Sequence, residues 1–171
     1  DLLVLFKLND KRNGYFIEFG ATNGIYLSNT YLLEKFFDWK GIVVEPAKVW
    51  LNDLFQNRRC SIDTRCVWSK SGEKILFNET TNAEISTINE YSDVDSLSNK
   101  RKEGKVYHVD TITLNDLLEQ NNAPHDIDYL SIDTEGSEYD ILSCLNFQKY
   151  KIKIITVEHN YNDLRIEIYK L

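Results

Sequence analysis

Tyr15-Phe16-Ile17-Glu18-Phe19-Gly20-Ala21-Thr22-Asn23-Gly24 is an apolar run that stops on a glycine turn, and a helical pattern starts directly after it at Ile25. A strand that ends on glycines and gives way to a helix leaves bare backbone for a ligand to lie against, with helix N–H groups aimed at it. The expectation is a nucleotide-type pocket at the end of a first strand. Glu18 stands just before the first glycine, where a carboxylate would face the ligand. A second apolar run, Gly41-Ile42-Val43-Val44, closes on Glu45. That acid falls roughly twenty positions past the glycine turn, the distance expected of a group that grips a ribose hydroxyl.

Charge selects among nucleosides. A pyrophosphate dinucleotide calls for G-x-G-x-x-G, whereas Gly20 to Gly24 reads G-x-x-x-G with a carboxylate upstream. Glu18 would repel a pyrophosphate and attract an ammonium or a sulfonium, and S-adenosylmethionine (SAM) carries both beside its ribose. The sign of the charge therefore favours a methyl-donor site over a dinucleotide site.

Outward from this stretch, apolar positions Leu27, Tyr31, Leu32, Phe36 and Phe37 recur at helical spacing until Trp39-Lys40-Gly41. Gly41 to Glu45 reads as a buried strand, Ala47 to Asn57 as a helix and Cys60 to Trp68 as a third strand. Ser71-Gly72 turns the chain toward Lys74 to Phe77. The polar stretch Tyr91 to Lys105 reads as a mobile loop, its Lys100-Arg101-Lys102 run as solvated surface. Val106 to Thr111 is extended, and Thr113-Leu114-Asn115-Asp116 resembles a capping box for the helix Leu114 to Asn121. Strand Ile127 to Ile132, helix Glu138 to Leu145 and strand Ile152 to Val157 follow, with Asn162 expected to cap a closing helix. Strands alternating with helices give an α/β class: a mostly parallel sheet of five or six strands covered on both faces.

In such a sheet the ligand lies across the carboxyl ends of the strands. Glu18, Glu45, Asp133 and Glu158-His159 each follow an apolar strand. A plainer reading has these acids capping the next helices, but four strand ends finishing in carboxylates point to a shared rim. Asp133-Thr134-Glu135-Gly136-Ser137-Glu138 crowds carboxylates that raise one another's pKa unless a cation, the sulfonium or a divalent metal, sits among them. Asp-x-Glu also resembles the Asp-x-Asp metal clamp of glycosyltransferases, which keeps a nucleotide-sugar transferase as an alternative. His159 is the best placed histidine for a general base, with a structural role equally open. His108 and His125 read as structural, and Glu138 as a first-turn helix acid.

These residues resemble the FkbM-type methyltransferases, SAM-dependent enzymes with a Rossmann-like fold. Phe16-Ile17-Glu18-Phe19-Gly20-Ala21 through Gly24, with Leu27-Ser28-Asn29-Thr30 and Leu33-Glu34, is similar to that family's opening motif. Trp39-Lys40-Gly41-Ile42-Val43-Val44-Glu45-Pro46 is similar to the second, and Asp128 through Glu138 to the third. The resemblance runs from about Tyr15 to Asn160. It implies a class I methyltransferase sandwich and O-methylation, often of a sugar or natural-product hydroxyl. Carried over, Glu18, Gly20, Ala21 and Gly24 would hold the methionine part of SAM, with Asn23 and Ser28 in the same motif. Glu45 would hold the ribose, next to Pro46, and the backbone near Val67 and Trp68 would meet the adenine. Asp133 and Glu135 would line the transfer site. A C-terminal strand pair usual in this fold is expected to be missing.

Bulk properties narrow the setting. The chain has 171 residues, 42% hydrophobic and 27% charged, with a net charge of −7, a composition that suits a single soluble domain, 1–171. Negative charge argues against nucleic-acid binding. No run approaches the ~20 apolar residues of a membrane helix and no cleavage pattern opens the chain, so a cytoplasmic setting without membrane contact is expected. The absence of methionine suggests a fragment. Cys60, Cys66 and Cys144 lack zinc or disulfide spacing and read as buried thiols. Asn78-Glu79-Thr80 matches a glycosylation sequon that carries little weight without a secretion signal. The expected partner is a small-molecule or glycan hydroxyl acceptor. An NAD-dependent sugar enzyme and a non-catalytic SAM-binding module remain as further alternatives; the oligomeric state is not legible.

Overall fold

A computed structural model describes residues 1–159 and 164–171. The first half runs α1 (Leu2–Lys7), β1 (Tyr15–Phe19), α2 (Tyr31–Phe37), β2 (Lys40–Val44), α3 (Lys48–Asn57), β3 (Ser61–Asp63), β4 (Cys66–Val67), β5 (Lys74–Glu79) and β6 (Thr87–Ile88). The second runs α4 (Ser98–Arg101), β7 (Lys105–Ile112), α5 (Leu114–Gln120), β8 (Asp126–Ile132), α6 (Glu138–Ser143), β9 (Lys151–Val157) and α7 (Leu164–Lys170). Asn162, expected to cap the last helix, lies outside the described residues.

The main sheet has five strands in the order β3-β2-β1-β8-β9, and every pairing in it is parallel. Strand alternation divides its side chains between two apolar layers. Ile17, Phe19, Ile42, Val44, Leu130 and Ile132 pack with Leu114, Leu117 and Leu118 of α5 and Ile141 and Leu142 of α6. Phe16, Val43 and Tyr129 face the other way, onto Val4 and Leu5 of α1, Leu33 of α2 and Leu54 of α3. Helices therefore cover both faces, as the sequence pattern requires.

Three segments depart from the sequence reading, each for a local reason. The helix expected from Ile25 starts only at Tyr31. Thr22 and Leu27 take left-handed φ values of 48° and 58°, and Asn23 Oδ1 accepts the N–H groups of Ile25 and Tyr26. An asparagine that binds its own following backbone competes with helix formation. The stretch Cys60 to Trp68 is two strands in two sheets. Asp63 accepts both the main-chain N–H of Arg65 and its guanidinium, at 2.9 Å and 2.6 Å, which turns the chain out of register. β4 then enters a second sheet, β4-β7-β5-β6, in which β5 runs antiparallel to β6 and β7.

The third departure concerns Tyr91 to Lys105, which is a docked strap rather than a mobile loop. Lys100 and Lys102 are exposed as expected, but the Arg101 side chain between them has no exposed surface. Its Nε donates to the Ile85 carbonyl at 2.8 Å, Nη1 to Asp95 at 2.7 Å and Nη2 to Glu135 at 2.9 Å. Asn78 Nδ2 donates to the Arg101 carbonyl and to Ser92 Oγ, at 3.0 Å each. Burial of Asn78 also removes the sequon from any role in the folded protein. Of the cysteines, Cys66 is buried, Cys60 half-buried and Cys144 exposed, so the last departs from the buried thiol expected. No helix among the described residues is long and apolar enough to cross a membrane.

Removing one partner of a buried ion pair leaves the other charge uncompensated, a loss of about 3–5 kcal/mol. Arg101→Met is therefore expected to lower the unfolding free energy by about that amount in urea titration, and to speed amide exchange across residues 83–101. A loss below about 1 kcal/mol, the scale of an exposed charge, would contradict the docked strap.

Candidate functional site

Gly20 follows β1 with φ at +77°, and a Cβ there would come within 2.2 Å of the Asp133 carbonyl oxygen. Only glycine lets the first strand end touch the fourth so closely. Beyond it Thr22 donates its N–H to Glu45 Oε2 at 2.8 Å, while Ala47 N–H reaches Glu45 Oε1 at 2.8 Å. Burial pushes the Glu45 carboxyl up to about 7 against the pull of these Ala47 and Thr22 N–H groups, and the charges of Glu79 and Glu18 add to the rise.

Gly20, Thr22, Glu45 and Asp133 line a solvent-open cavity, with about 670 Å³ of empty space including its mouth, across the carboxyl ends of β1, β2 and β8. Its apolar part comes from Phe19, Val44, Val67, Phe77 and Ile88. The segment between β5 and β6 supplies Ala83, Glu84 and Ser86 to one wall, and Asp133 to Glu135 form another. Carboxylates of Glu45, Glu84, Asp133 and Glu135 border it, and none of the described residues lining it is basic.

Of the residues expected to bind a cofactor, Gly20, Glu45, Pro46, Val67 and Asp133 line this cavity; Glu18, Ala21, Asn23, Gly24, Ser28 and Trp68 do not. Glu18 is turned inward. Its carboxylate accepts from Ser28 Oγ at 2.9 Å, Thr30 Oγ1 at 2.6 Å and the Asn29 N–H, and it lies 3.4 Å from Arg58 Nη1. Arg58, with no exposed side-chain surface, also donates to Glu34 at 2.6 Å, the Gly24 carbonyl at 3.2 Å and Ser28 Oγ at 3.0 Å. Glu18, Gly24 and Ser28 thus belong to a buried ionic knot that fixes the loop, and the two acids do not share one hollow. Ala21 is buried in the core, Asn23 shapes the loop, and Trp68 packs edge-on against Tyr91 with ring centroids 5.9 Å apart.

At the far end Asp133, Glu135 and Glu158 bring carboxylate oxygens within 4.8 Å of one another. Desolvation, then the charge and hydrogen bond of Glu158 and the charges of Glu135 and Glu138, push Asp133 well above the usual carboxylate range. Glu135 holds a left-handed φ of 58° and is tied by Arg101 on its side chain and Thr87 Oγ1 on its carbonyl, at 2.9 Å each. The spacing would suit a divalent ion, but Arg101 already answers the charge of Glu135, and nothing else points to a metal. Glu138 is a capping acid, accepting from the Thr134 and Gly136 N–H groups at 3.0 Å. His159 is half-buried two positions past β9 and lines neither this cavity nor the hollow beside it.

Sequence reasoning missed Arg101 and Thr22, and it placed Glu158 on the carboxylate rim without its pairing to Asp133. For that pairing a signal existed: strand alternation carries Glu158 to the same face as Thr156, next to Asp133.

No curated protein and no solved structure matches the chain at a significant level. The model of the Methyltransferase FkbM domain matches residues 18–167. That span takes in the glycine turn, Glu45, the strap and the acid cluster, and its fold is the Rossmann-like arrangement of the main sheet. The chain belongs to the FkbM methyltransferase domain family.

Proposed function

We propose that this protein transfers a methyl group from SAM to a hydroxyl oxygen of a small molecule or glycan. One observation carries the reading: carboxylates alone supply the charge around the cavity, with no described basic lining residue to meet a phosphate. A nucleotide sugar or a pyrophosphate dinucleotide would be repelled there; a sulfonium next to an adenosine would be attracted. Free thiols at Cys60, Cys66 and Cys144 support the cytoplasmic setting.

The residues divide the work by position. Glu45 accepts hydrogen bonds from the ribose hydroxyls, and the apolar surface of Val44, Val67 and Phe77 takes the adenine. When bound, SAM supplies an electrophilic methyl on a positively charged sulfur. Asp133 takes the proton of the attacking hydroxyl, a role that passes to it because His159 does not line the cavity. A cation beside Asp133 restores its ionised form, since opposite charge lowers a carboxyl pKa. Glu135, held by Arg101, keeps its charge beside the transfer site partly neutralised. Much of the acceleration comes from aligning the reacting atoms at ~3–3.5 Å.

Calorimetry with SAM, NAD and UDP-sugars tests the reading, and only SAM is expected to bind. Glu45→Gln is expected to weaken SAM on the order of 10- to 100-fold, the scale of a charge-assisted hydrogen bond. The pH dependence has a defined sign. Glu45 titrates near 4.5 in the unfolded chain and about 7 in the folded one, so the folded state holds the extra proton between these values. The stability of the free protein should therefore fall as pH rises across that window. SAM affinity should rise through about pH 7 as the carboxylate forms, and Glu45→Gln should flatten that rise. A wild-type affinity that is level from pH 6 to 8 would argue against Glu45 as the ribose acceptor.

Gly20→Ala and Gly72→Ala make a matched pair, since both glycines have φ at +77° but nothing lies within 4 Å of a Cβ at Gly72. Gly72→Ala should lose about 1 kcal/mol from backbone conformation alone. Gly20→Ala should lose more and abolish SAM binding by displacing Asp133. Equal effects on melting temperature and SAM affinity would remove the contact from the argument.

A further inference from the structure

Leu27, in the loop between the glycine turn and α2, has a backbone conformation and a setting that both disfavour leucine. Its φ of 58° lies in the left-handed region, where the Cβ of an L-residue crowds its own carbonyl and which glycine, asparagine and aspartate visit most readily. The residue is also 61% exposed. Glycine or asparagine here would relax the backbone and take an apolar side chain out of water. Strain of this kind persists where the surroundings over-determine it, and it gathers at ligand-binding sites.

The loop is fixed on both sides of Leu27. Ahead of it, Asn23 Oδ1 accepts the N–H groups of Ile25 and Tyr26 at 3.0 Å and 2.8 Å, and Thr22 Oγ1 donates to the Tyr26 carbonyl at 2.5 Å. Behind it, Ser28 Oγ accepts from Arg58 at 3.0 Å and Glu18 accepts the Asn29 N–H. The place in which these anchors hold Leu27 is the wall of the cavity. Phe19, Val44, Val67, Phe77 and Ile88 of the same wall are buried, and packing accounts for them. Leu27 both lines the cavity and meets solvent, which puts it at the mouth. Its neighbour Tyr26 links this lip to the segment between β5 and β6: a hydrogen bond with Glu84, another lining residue, raises the phenol above its ordinary pKa.

We infer that Leu27 is a binding residue at the cavity mouth, whose side chain covers the bound methyl donor and keeps water from it. The inference deepens the donor reading of the cavity and rests on it. An apolar group laid over a ligand leaves water only when the ligand is present. The strain and exposure of Leu27 therefore weigh on the free protein, and the gain belongs to the complex. Excluding water also strengthens the pull of the carboxylates on a sulfonium, because less solvent and salt stand between the charges.

Calorimetry with SAM on the wild-type protein comes first, and failure to bind there overturns the donor reading itself before Leu27 is in question. Leu27→Asn and Leu27→Gly both suit a left-handed residue, so each is expected to raise the melting temperature by roughly 2–4 °C. Each should nevertheless weaken SAM about 10-fold. Leu27→Met keeps an apolar side chain of similar size, and should leave the SAM Kd within about twofold with no gain in melting temperature. SAM affinity should fall more steeply with added salt in Leu27→Asn than in the wild type, since uncovered charges are screened. Wild-type affinity in Leu27→Asn, or a loss confined to Leu27→Gly, would overturn the assignment, the second by tracing the effect to loop mobility. So would an equal loss in Leu27→Met, an unchanged salt slope, or a lower melting temperature in both the Asn and Gly variants, which would make Leu27 a support of the fold.

Discussion

Two arginines without exposed side-chain surface decide which carboxylates at the rim of the sheet keep their charge for a ligand. Arg58 draws Glu18 and Glu34 inward and closes the loop after Gly20, and Arg101 ties Asp95 to Glu135 and docks the strap on the segment before β6. A buried guanidinium can satisfy several acceptors in fixed directions, and each arginine here joins segments far apart in the chain. Glu45 is held instead by main-chain N–H groups, and Asp133 is raised by burial and by its acidic neighbours. The chemistry of the site follows from that division.

The division bears on catalysis as well as binding. A carboxylate cage around a sulfonium stabilises the reactant, whose charge disappears in the transfer, and excess stabilisation of this kind slows the step. Arg101 beside Glu135 reduces the negative field at that end of the cavity, and on the proposed reading Glu45 would grip the ribose away from the reacting atoms. Family membership establishes a methyltransferase domain, and the placement of charge is consistent with the proposed sulfonium donor.

The legible parts of the molecule are those governed by local pattern. β1, β2, β8 and β9 follow from apolar runs, and Thr113 caps α5 as its spacing requires, accepting from the Asp116 N–H at 3.1 Å. The places of Gly20, Glu45 and Asp133 on the cavity wall are readable because a strand end fixes where its last side chain goes. Glu18 was not, because its fate depends on Arg58 on another helix end. Arg101 was hidden in a charge run whose neighbours on either side do face solvent. The delayed start of α2 reflects Asn23 bonding to its own loop, a competition that apolar spacing alone does not reveal. Asn29 and Ser131 lie in two motifs far apart in the chain, and only the folded chain brings them together.

An all-acidic border also has a directional effect on turnover. Once sulfur has given up its methyl it is an uncharged thioether, and the Coulombic part of its attraction to Asp133 and Glu135 is gone. On the proposed donor reading, the spent nucleoside would keep a ribose contact at Glu45 but lose the electrostatic hold on its sulfur, so the carboxylates that select the incoming cation would also favour its exchange for fresh donor, without any moving part being required for the discrimination.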